Sequence, residues 1–216
     1  MFCPWCSNPE GLKLSETLSP TSVEDIVKEA QTARMIFIDG GGVTFTGGEV
    51  TLQKNAVLNA VQLLKENGIS ACIETNASLP DCEKLFGAVD YMIADFKSPC
   101  SHKLLEICGA DIEIIKNNLL FRVKTGKPLL VRIPLIKFFN CGIENAKEFC
   151  RFFNELKAES TNDNLHFEIL TYHEFGKDKY SEIGKTYTVT DGFVNAEDVK
   201  ILKDELEKNG LKLINT

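Results

Sequence analysis

The sequence lacks several features that would place it at once in a common class of protein. No segment is strongly basic, and 24 lysines and arginines against 31 aspartates and glutamates leave a net charge of −7. That balance argues against nucleic-acid binding as the main function. No apolar run approaches the roughly 18 residues that a membrane-spanning helix needs. The first residues, Met-Phe-Cys-Pro-Trp-Cys, have neither the charged nor the apolar region of a secretory signal. We therefore expect a cytoplasmic protein that acts neither on nucleic acid nor at a membrane.

A second CxxC pair is also missing, which excludes a zinc ribbon. Eight cysteines without an export signal favour reduced thiols over a disulfide framework. Cys3 and Cys6 have the spacing that lets two thiolates share one metal ion or cluster. A redox dithiol is the alternative interpretation of this pair. A thioredoxin-type site, however, needs a strand before the pair and a helix right after it, and the sequence predicts neither. The other cysteines lie mostly in apolar patterns and are interpreted as core or incidental residues: Cys72, Cys82, Cys100, Cys108, Cys141 and Cys150.

Low-complexity tracts and clear linkers are absent as well. A chain of 216 residues can bury a full core, so we predict a single domain over residues 1–216. Several predicted strands are nearly continuous apolar runs, as in a parallel sheet covered by helices. Their alternation with amphipathic segments predicts an α/β fold, either a doubly wound sheet or a barrel. The predicted strands are 43–46, 69–74, 91–95, 129–133 and 165–170; the predicted helices begin near 22 and 195 and span 52–67, 79–86, 102–108, 112–125 and 145–157, and 35–38 could be either.

The segment from Gly40 to Glu49 contains five glycines in ten residues. Such a run is useful where a ligand must approach the main chain closely. Its GxxxxG spacing resembles a phosphate loop, but a glycine and the Glu49 carboxylate stand where that motif requires lysine and serine or threonine. Carbonyl oxygens and a carboxylate suit a cationic donor such as the ammonium of an amino acid. A β-arch without a ligand is the alternative.

Polar residues follow the carboxyl ends of the predicted strands, where α/β folds place their sites. Each has an ordinary alternative, such as a helix cap, a solvated lysine, a structural salt bridge or a surface histidine. Together they offer acceptors for an ammonium and donors for a carboxylate, which is a site for a zwitterionic amino-acid moiety. They are Gly47, Gly48 and Glu49 after the first strand, Glu74 and Asn76 at the second, Asp95 and Lys97 at the third, Arg132 late in the fourth, and His173 after the fifth.

With these residues the chain resembles the radical S-adenosylmethionine (SAM) superfamily, and more narrowly the activating enzymes of glycyl radical enzymes, of the pyruvate formate-lyase activating type. The similarity runs in order through CPWCSNPEG, GGGVTFTGGE, ETN, DFK, VRIPLI and YHEFGKDKY. It implies a partial (β/α)6 barrel that holds a [4Fe–4S] cluster through a CxxxCxxC motif. It also implies that SAM yields a 5′-deoxyadenosyl radical, which takes a hydrogen atom from a glycine of a partner enzyme. The implied partners are a glycyl radical enzyme and a flavodoxin or ferredoxin electron donor.

The resemblance also implies roles for individual residues. Cys3 and Cys6 match the second and third cluster ligands, and Gly47, Gly48 and Glu49 match the motif that receives the methionine ammonium. A monovalent cation between Glu74 and Asp95 is a further implied site. The remaining residues match positions around the bound SAM: Glu74, Asn76, Lys97, Arg132 and His173.

One departure from the family pattern stands out. Counting back from Cys3, the first cysteine of CxxxCxxC would fall before Met1, as would the strand that precedes it. We therefore expect an N-terminally incomplete barrel that lacks its first strand, holds iron weakly or not at all, and exposes a sheet edge. Val50 for a proline and Ala77 for a glycine are smaller departures. The alternatives are another radical SAM reaction on a small molecule and a non-catalytic SAM-binding protein without a cluster.

Overall fold

The computed structural model describes residues 1–12 and 19–214 and centres on one parallel β-sheet. Five strands lie in the order β1-β2-β3-β4-β5, each hydrogen-bonded to its neighbour in the chain. The predicted α/β class is therefore confirmed, and the described residues supply one strand fewer than the six of the full barrel. The strands are β1 (Gly42–Phe45), β2 (Ser70–Thr75), β3 (Tyr91–Asp95), β4 (Leu129–Leu135) and β5 (Leu165–Thr171).

One face of the sheet packs against the helices. Its side chains Ile73, Ala94, Val131 and Phe167 are at most 1% exposed, and Phe167 stacks on Phe153 with a ring-centroid separation of 4.5 Å. The alternation of strand side chains directs the residues between them to the opposite face. The helices are α1 (Val23–Thr32), α2 (Lys54–Glu66), α3 (Glu83–Ala88), α4 (Ser101–Lys103), α5 (Ile112–Lys124), α6 (Lys137–Asn140), α7 (Ile143–Glu159), α8 (Lys177–Glu182) and α9 (Ala196–Lys208).

Two helix starts that the sequence predicts are confirmed by their caps. The Ser22 side chain accepts a hydrogen bond from the Asp25 amide at the start of α1. At the start of α9, Asn195 and Asp198 form a reciprocal capping box. These contacts satisfy amide groups that have no partner inside the helix.

Other predicted boundaries shift for local reasons. The helix predicted over 79–86 begins only at Glu83, because Asp81 has a φ of +56° and ends the preceding turn outside the helical region. Of the undecided segment 35–38, residues 35–37 lie in a 3₁₀ turn, Arg34–Phe37, and Ile38 follows as its C-cap residue. The helix predicted over 102–108 ends in a π-helical turn, Leu104–Cys108, and α8 is a short helix in the segment after β5. None of the helices within residues 1–12 and 19–214 is long and apolar enough to cross a bilayer.

Candidate functional site

The glycine loop after β1 is fixed by the Glu49 carboxylate. Oε1 accepts hydrogen bonds from the amide and the hydroxyl of Thr51 at 3.0 and 2.6 Å and from the Thr75 hydroxyl at 2.5 Å, while Oε2 accepts from the Asn76 amide at 2.9 Å. Glu49 thus caps the next turn and ties it to the end of β2. Oε1 accepts three of these hydrogen bonds and Oε2 only one, so Oε2 and the backbone carbonyls of the loop are the acceptors left for a ligand. Gly47 has a φ of +119°, a conformation that glycine adopts without strain.

Three charged side chains form a row on the face of the sheet opposite Ile73 and Val131. Arg132 donates from Nε to Oε2 of Glu168 at 2.9 Å and from Nη1 to Oε1 of Glu74 at 3.1 Å. The other oxygen of Glu74 accepts from the Thr46 hydroxyl at 2.8 Å. Burial lowers the pKa of Arg132, but its hydrogen bond to Glu168 and the nearby Glu74 charge reverse this and raise it overall. The row links β2, β4 and β5 through one permanently charged guanidinium.

A second ion pair lies beside this row. Lys97 Nζ is 2.7 Å from Oδ2 of Asp95, and Asp95 is the register neighbour of Arg132 across β3 and β4. Burial lowers the pKa of Lys97, whereas the Asp95 carboxylate and then the Cys3 thiolate raise it, with a net increase. Lys97 therefore stays protonated between the third strand and the cysteine loop.

The cysteine loop lies next to Lys97. Cys3 is buried and Cys6 is half-buried, and the Cys6 amide donates to the Cys3 carbonyl at 3.1 Å in a tight turn. A hydrogen bond from Cys108 lowers the pKa of Cys3 to about 7, against the effect of burial and with help from the Lys97 charge. Burial instead raises the pKa of Cys6. Of the two thiols, Cys3 therefore ionises at the lower pH, and the thiolate is the form that binds a metal.

The residues that follow β2 and β5 reach the same edge of the sheet. The Asn76 side chain accepts from the Ser78 amide at 3.0 Å and shapes the loop after β2. His173 is exposed; its Nδ1 accepts from the Phe175 amide at 3.3 Å, and its ring stacks on that of Phe175 at 4.1 Å. Because the carboxyl ends of parallel strands meet at one edge, Glu49, Lys97 and His173 lie on the same side of the molecule.

Sequence comparison decides between the families that such a site allows. The sequence pattern described as "Radical SAM superfamily" matches residues 1–153. The chain belongs to the radical SAM superfamily. Among curated radical SAM relatives, the pyruvate formate-lyase-activating enzyme of Staphylococcus aureus (strain USA300) is 28% identical over 223 residues, which cover 99% of this chain and 84% of that one.

Solved structures share the radical SAM fold. A domain of pyruvate-formate lyase-activating enzyme from Bacteroides vulgatus ATCC 8482 matches with a TM-score of 0.65 and 24% identity, covering 81% of this chain and 98% of that chain. SuiB from Streptococcus suis, bound to precursor peptide SuiA, matches with a TM-score of 0.70 and 18% identity over 98% of this chain and 45% of that chain. At these identities the two likenesses establish the fold alone.

The donor set fits the cofactors of a radical SAM protein in part. Cys3 and Cys6 supply two thiols at cluster spacing, and the glycine-loop carbonyls with Arg132 and Lys97 suit the two ends of an amino acid. Among residues 1–12 and 19–214, however, no group of three or more histidine, cysteine or acidic side chains is arranged for a metal ion. The expected monovalent cation is not supported, since Glu74 and Asp95 are engaged by Arg132 and Lys97.

Three residues near this radical SAM site did not emerge from the sequence. Glu168 is 4% exposed and accepts a hydrogen bond from Arg132. It is the register partner of Arg132 on β5. The alternation of side chains along β5, which places Glu168 on the same face as Arg132, is the signal that could have found it. Cys108, interpreted as core or incidental, contacts Cys3 from a distant segment. Asn140 is 1% exposed and donates to the carbonyls of Lys97 and Pro134, both at 2.7 Å. No local pattern marks Cys108, because its contact with Cys3 is tertiary, and the Lys97 contact of Asn140 is tertiary as well.

A cavity of about 870 Å³ opens toward the amino ends of the strands. It lies on the same face as the charged row but two residues earlier along β2, β4 and β5, at Cys72, Leu130 and His166. Its walls also include the glycines before β1. We call the carboxyl edge of the sheet, with Glu49, Glu74, Lys97, Arg132 and His173, the rim. Its paired charges suit a zwitterionic ligand, whereas this cavity is mostly apolar.

Proposed function

We propose that this chain is the activating enzyme of a glycyl radical enzyme, of the pyruvate formate-lyase activating type, or a segment of one. The observation that carries the proposal is the 28% identity to an activating enzyme along 99% of the chain. That similarity includes the cysteine loop, the glycine loop and every strand end that contributes to the rim. A cytoplasmic location, a glycyl radical partner and a flavodoxin or ferredoxin donor belong to the same proposal.

In this proposal the side chains of the rim bind and orient SAM. The carbonyls of Gly47 and Gly48 accept from its ammonium, and Glu49 keeps that loop in place through Thr51 and Thr75. Lys97 and Arg132 donate to the ligand's carboxylate with the N–H groups that their ion pairs leave over, and their carboxylate partners hold both cations in fixed positions. Asn76 and His173 border the site at the ends of β2 and β5. Fixed charges of this kind stabilise a bound ion without reorganising when it arrives.

Cys3 and Cys6 would hold the cluster, with Cys3 ionised near neutral pH. When bound, the cluster would supply the one-electron chemistry that reductive cleavage of SAM needs. The protein contributes thiolate ligands, orientation of the substrate and exclusion of water. The Lys97 ammonium beside Cys3 favours the thiolate that binds iron.

Anaerobic reconstitution tests the proposal. The chain as printed and a version with a cysteine-containing N-terminal extension that completes CxxxCxxC are loaded with iron and sulfide, then mixed with SAM, a reductant and pyruvate formate-lyase. We expect little iron in the first, near-stoichiometric cluster in the second, and a glycine-centred signal by electron paramagnetic resonance from the second. A matched Cys6→Ser variant of the extended chain should lose both.

Three outcomes would overturn parts of this proposal. SAM cleavage by the extended chain without a glycine-centred signal would favour a radical SAM reaction on a small molecule. SAM binding without iron in the extended chain would favour a non-catalytic protein. Stoichiometric iron in the chain as printed would contradict the expectation of weak iron binding.

A further inference from the structure

The segment from Gly176 to Tyr180, which no cofactor role assigns, packs directly on the cysteine loop. Gly176 has an ordinary φ of −89°, so its backbone does not require glycine. A Cβ atom at this position would lie 2.7 Å from the Cys6 carbonyl oxygen and 2.7 Å from Cα of Ser7. Both contacts are with backbone, which cannot move aside as a side chain can. Glycine is therefore required here because the cysteine loop occupies the space.

Two side chains of α8, Lys179 and Tyr180, also hydrogen-bond to the cysteine loop on both sides of Cys6. Tyr180, 6% exposed, donates from its hydroxyl to the carbonyl of Pro4 at 3.0 Å, between the two cysteines in sequence. Lys179 Nζ donates to Oδ1 of Asn8 at 3.0 Å and to Oε1 of Glu10 at 2.8 Å. The loop is thus bound before and after Cys6 by residues about 170 positions away in the chain.

Contacts among three tyrosines hold Tyr180 in place. The Tyr180 ring meets the Tyr187 ring edge-on, with centroids 4.9 Å apart, and the Tyr187 and Tyr172 hydroxyls are 2.6 Å apart. Tyr172 is the first residue after β5. The cysteine loop is therefore connected to the sheet through α8 rather than through its own flanking residues alone.

We infer that Gly176, Lys179 and Tyr180 are positioning residues that hold the Cys3–Glu10 loop so that its two thiols face the rim. The inference rests on the proposed function in one respect only, namely that the two thiols bind an iron–sulfur cluster. The loop geometry and its effect on thiol accessibility are measurable in the metal-free chain.

The sharpest variant is Gly176→Ala, matched with Gly87→Ala. Gly87 lies inside α3, and its added Cβ would meet only Phe121 at 3.9 Å, an ordinary contact. The readout is the alkylation rate of Cys6 in the metal-free, reduced chain, followed peptide by peptide by mass spectrometry, with the half-exposed Cys141 as internal reference. Gly176→Ala should raise the Cys6 rate about tenfold relative to Cys141, and Gly87→Ala should leave it unchanged.

The hydrogen bonds are tested separately. Lys179→Met should raise the Cys6 rate about threefold, a smaller effect because this ion pair is partly exposed. Lys179→Arg, which keeps the charge and several donors, should restore most of the protection. Tyr180→Phe should resemble Lys179→Met. A role confined to overall stability would instead change the melting temperature and the Cys141 rate together.

A second readout concerns the loaded protein. In the N-terminally extended chain, Gly176→Ala should lower bound iron at least threefold and alter the spectrum of the reduced cluster, while Gly87→Ala should do neither. Equal Cys6 rates in Gly176→Ala and Gly87→Ala would overturn the inference whether or not the protein is an activase. If Gly176→Ala does not fold, equal Cys6 rates in Lys179→Met, Lys179→Arg and the unmodified chain would overturn it instead.

Discussion

Replacing Arg132 tests the charged row most severely. In the native chain its guanidinium lies between Glu168, whose side chain is 5% exposed, and Glu74, whose side chain is 34% exposed. Arg132→Met keeps much of the side-chain length but leaves the buried Glu168 without this cation. Breaking a buried pair in this way costs about 3 kcal/mol, and the more exposed Glu74 pair adds less than about 1 kcal/mol. We expect the free energy of unfolding to fall by about 3–4 kcal/mol by these two estimates.

The assay is urea unfolding of the metal-free chain under reducing conditions, monitored by circular dichroism, with the slope checked for constancy. Arg151→Met is the matched control, because Arg151 pairs with Glu148 on an exposed helix face and should cost less than about 0.5 kcal/mol. Glu168→Gln combined with Arg132→Met should cost at least about 1.5 kcal/mol less than the sum of the single changes, since the two residues interact directly. A loss in Arg132→Met no larger than in Arg151→Met would refute the reasoning.

Three further predictions concern single residues. Cys108→Ala removes the hydrogen bond that lowers the pKa of Cys3 to about 7; burial then dominates, so the pH at which Cys3 alkylation is half-maximal should rise, and an unchanged pH profile would contradict the contact. Asn140→Ala leaves the buried Ile136 amide and the Lys97 and Pro134 carbonyls unpaired and should cost about 2–3 kcal/mol in urea unfolding, whereas Asn154→Ala on the exposed surface should cost less than about 0.5 kcal/mol. Ala77 has a φ of +53° and is fully buried. In Ala77→Gly, the relief of about 1–2 kcal/mol of backbone strain should nearly offset the loss of the buried methyl group and the added entropy of the unfolded chain, so the free energy of unfolding should change little. Ala60→Gly, inside a helix, should lower the free energy of unfolding by about 2 kcal/mol, and equal losses in the two variants would show that Ala77 is unstrained.

The sequence predicted the sheet well because its evidence is local. Apolar runs of strand length, glycine turns and capping residues such as Ser22 and Asn195 each depend on neighbours within a few positions. The prediction of site residues at the strand ends has a related basis. Parallel strands end at one edge, so a polar residue after each strand predicts a shared site without knowledge of the packing.

The remaining features depend on contacts between distant segments. Whether Glu49 faces a ligand or the protein depends on contacts with Thr51, Thr75 and Asn76, and the structure hydrogen-bonds both carboxylate oxygens to these residues. Cys108 and α8 reach the cysteine loop from 100 or more positions away. No sequence periodicity predicts such a contact, so the packing of α8 on the cysteine loop required the structure.

The most direct test of the account is a crystal structure of the N-terminally extended chain, loaded anaerobically with its cluster and soaked with SAM. The account predicts electron density for the methionine end of SAM at the carboxyl ends of the strands, in contact with the loop at Gly47 and Gly48 and with the Arg132 row. Density in the 870 Å³ cavity at the amino ends, beside Cys72 and His166, would contradict it.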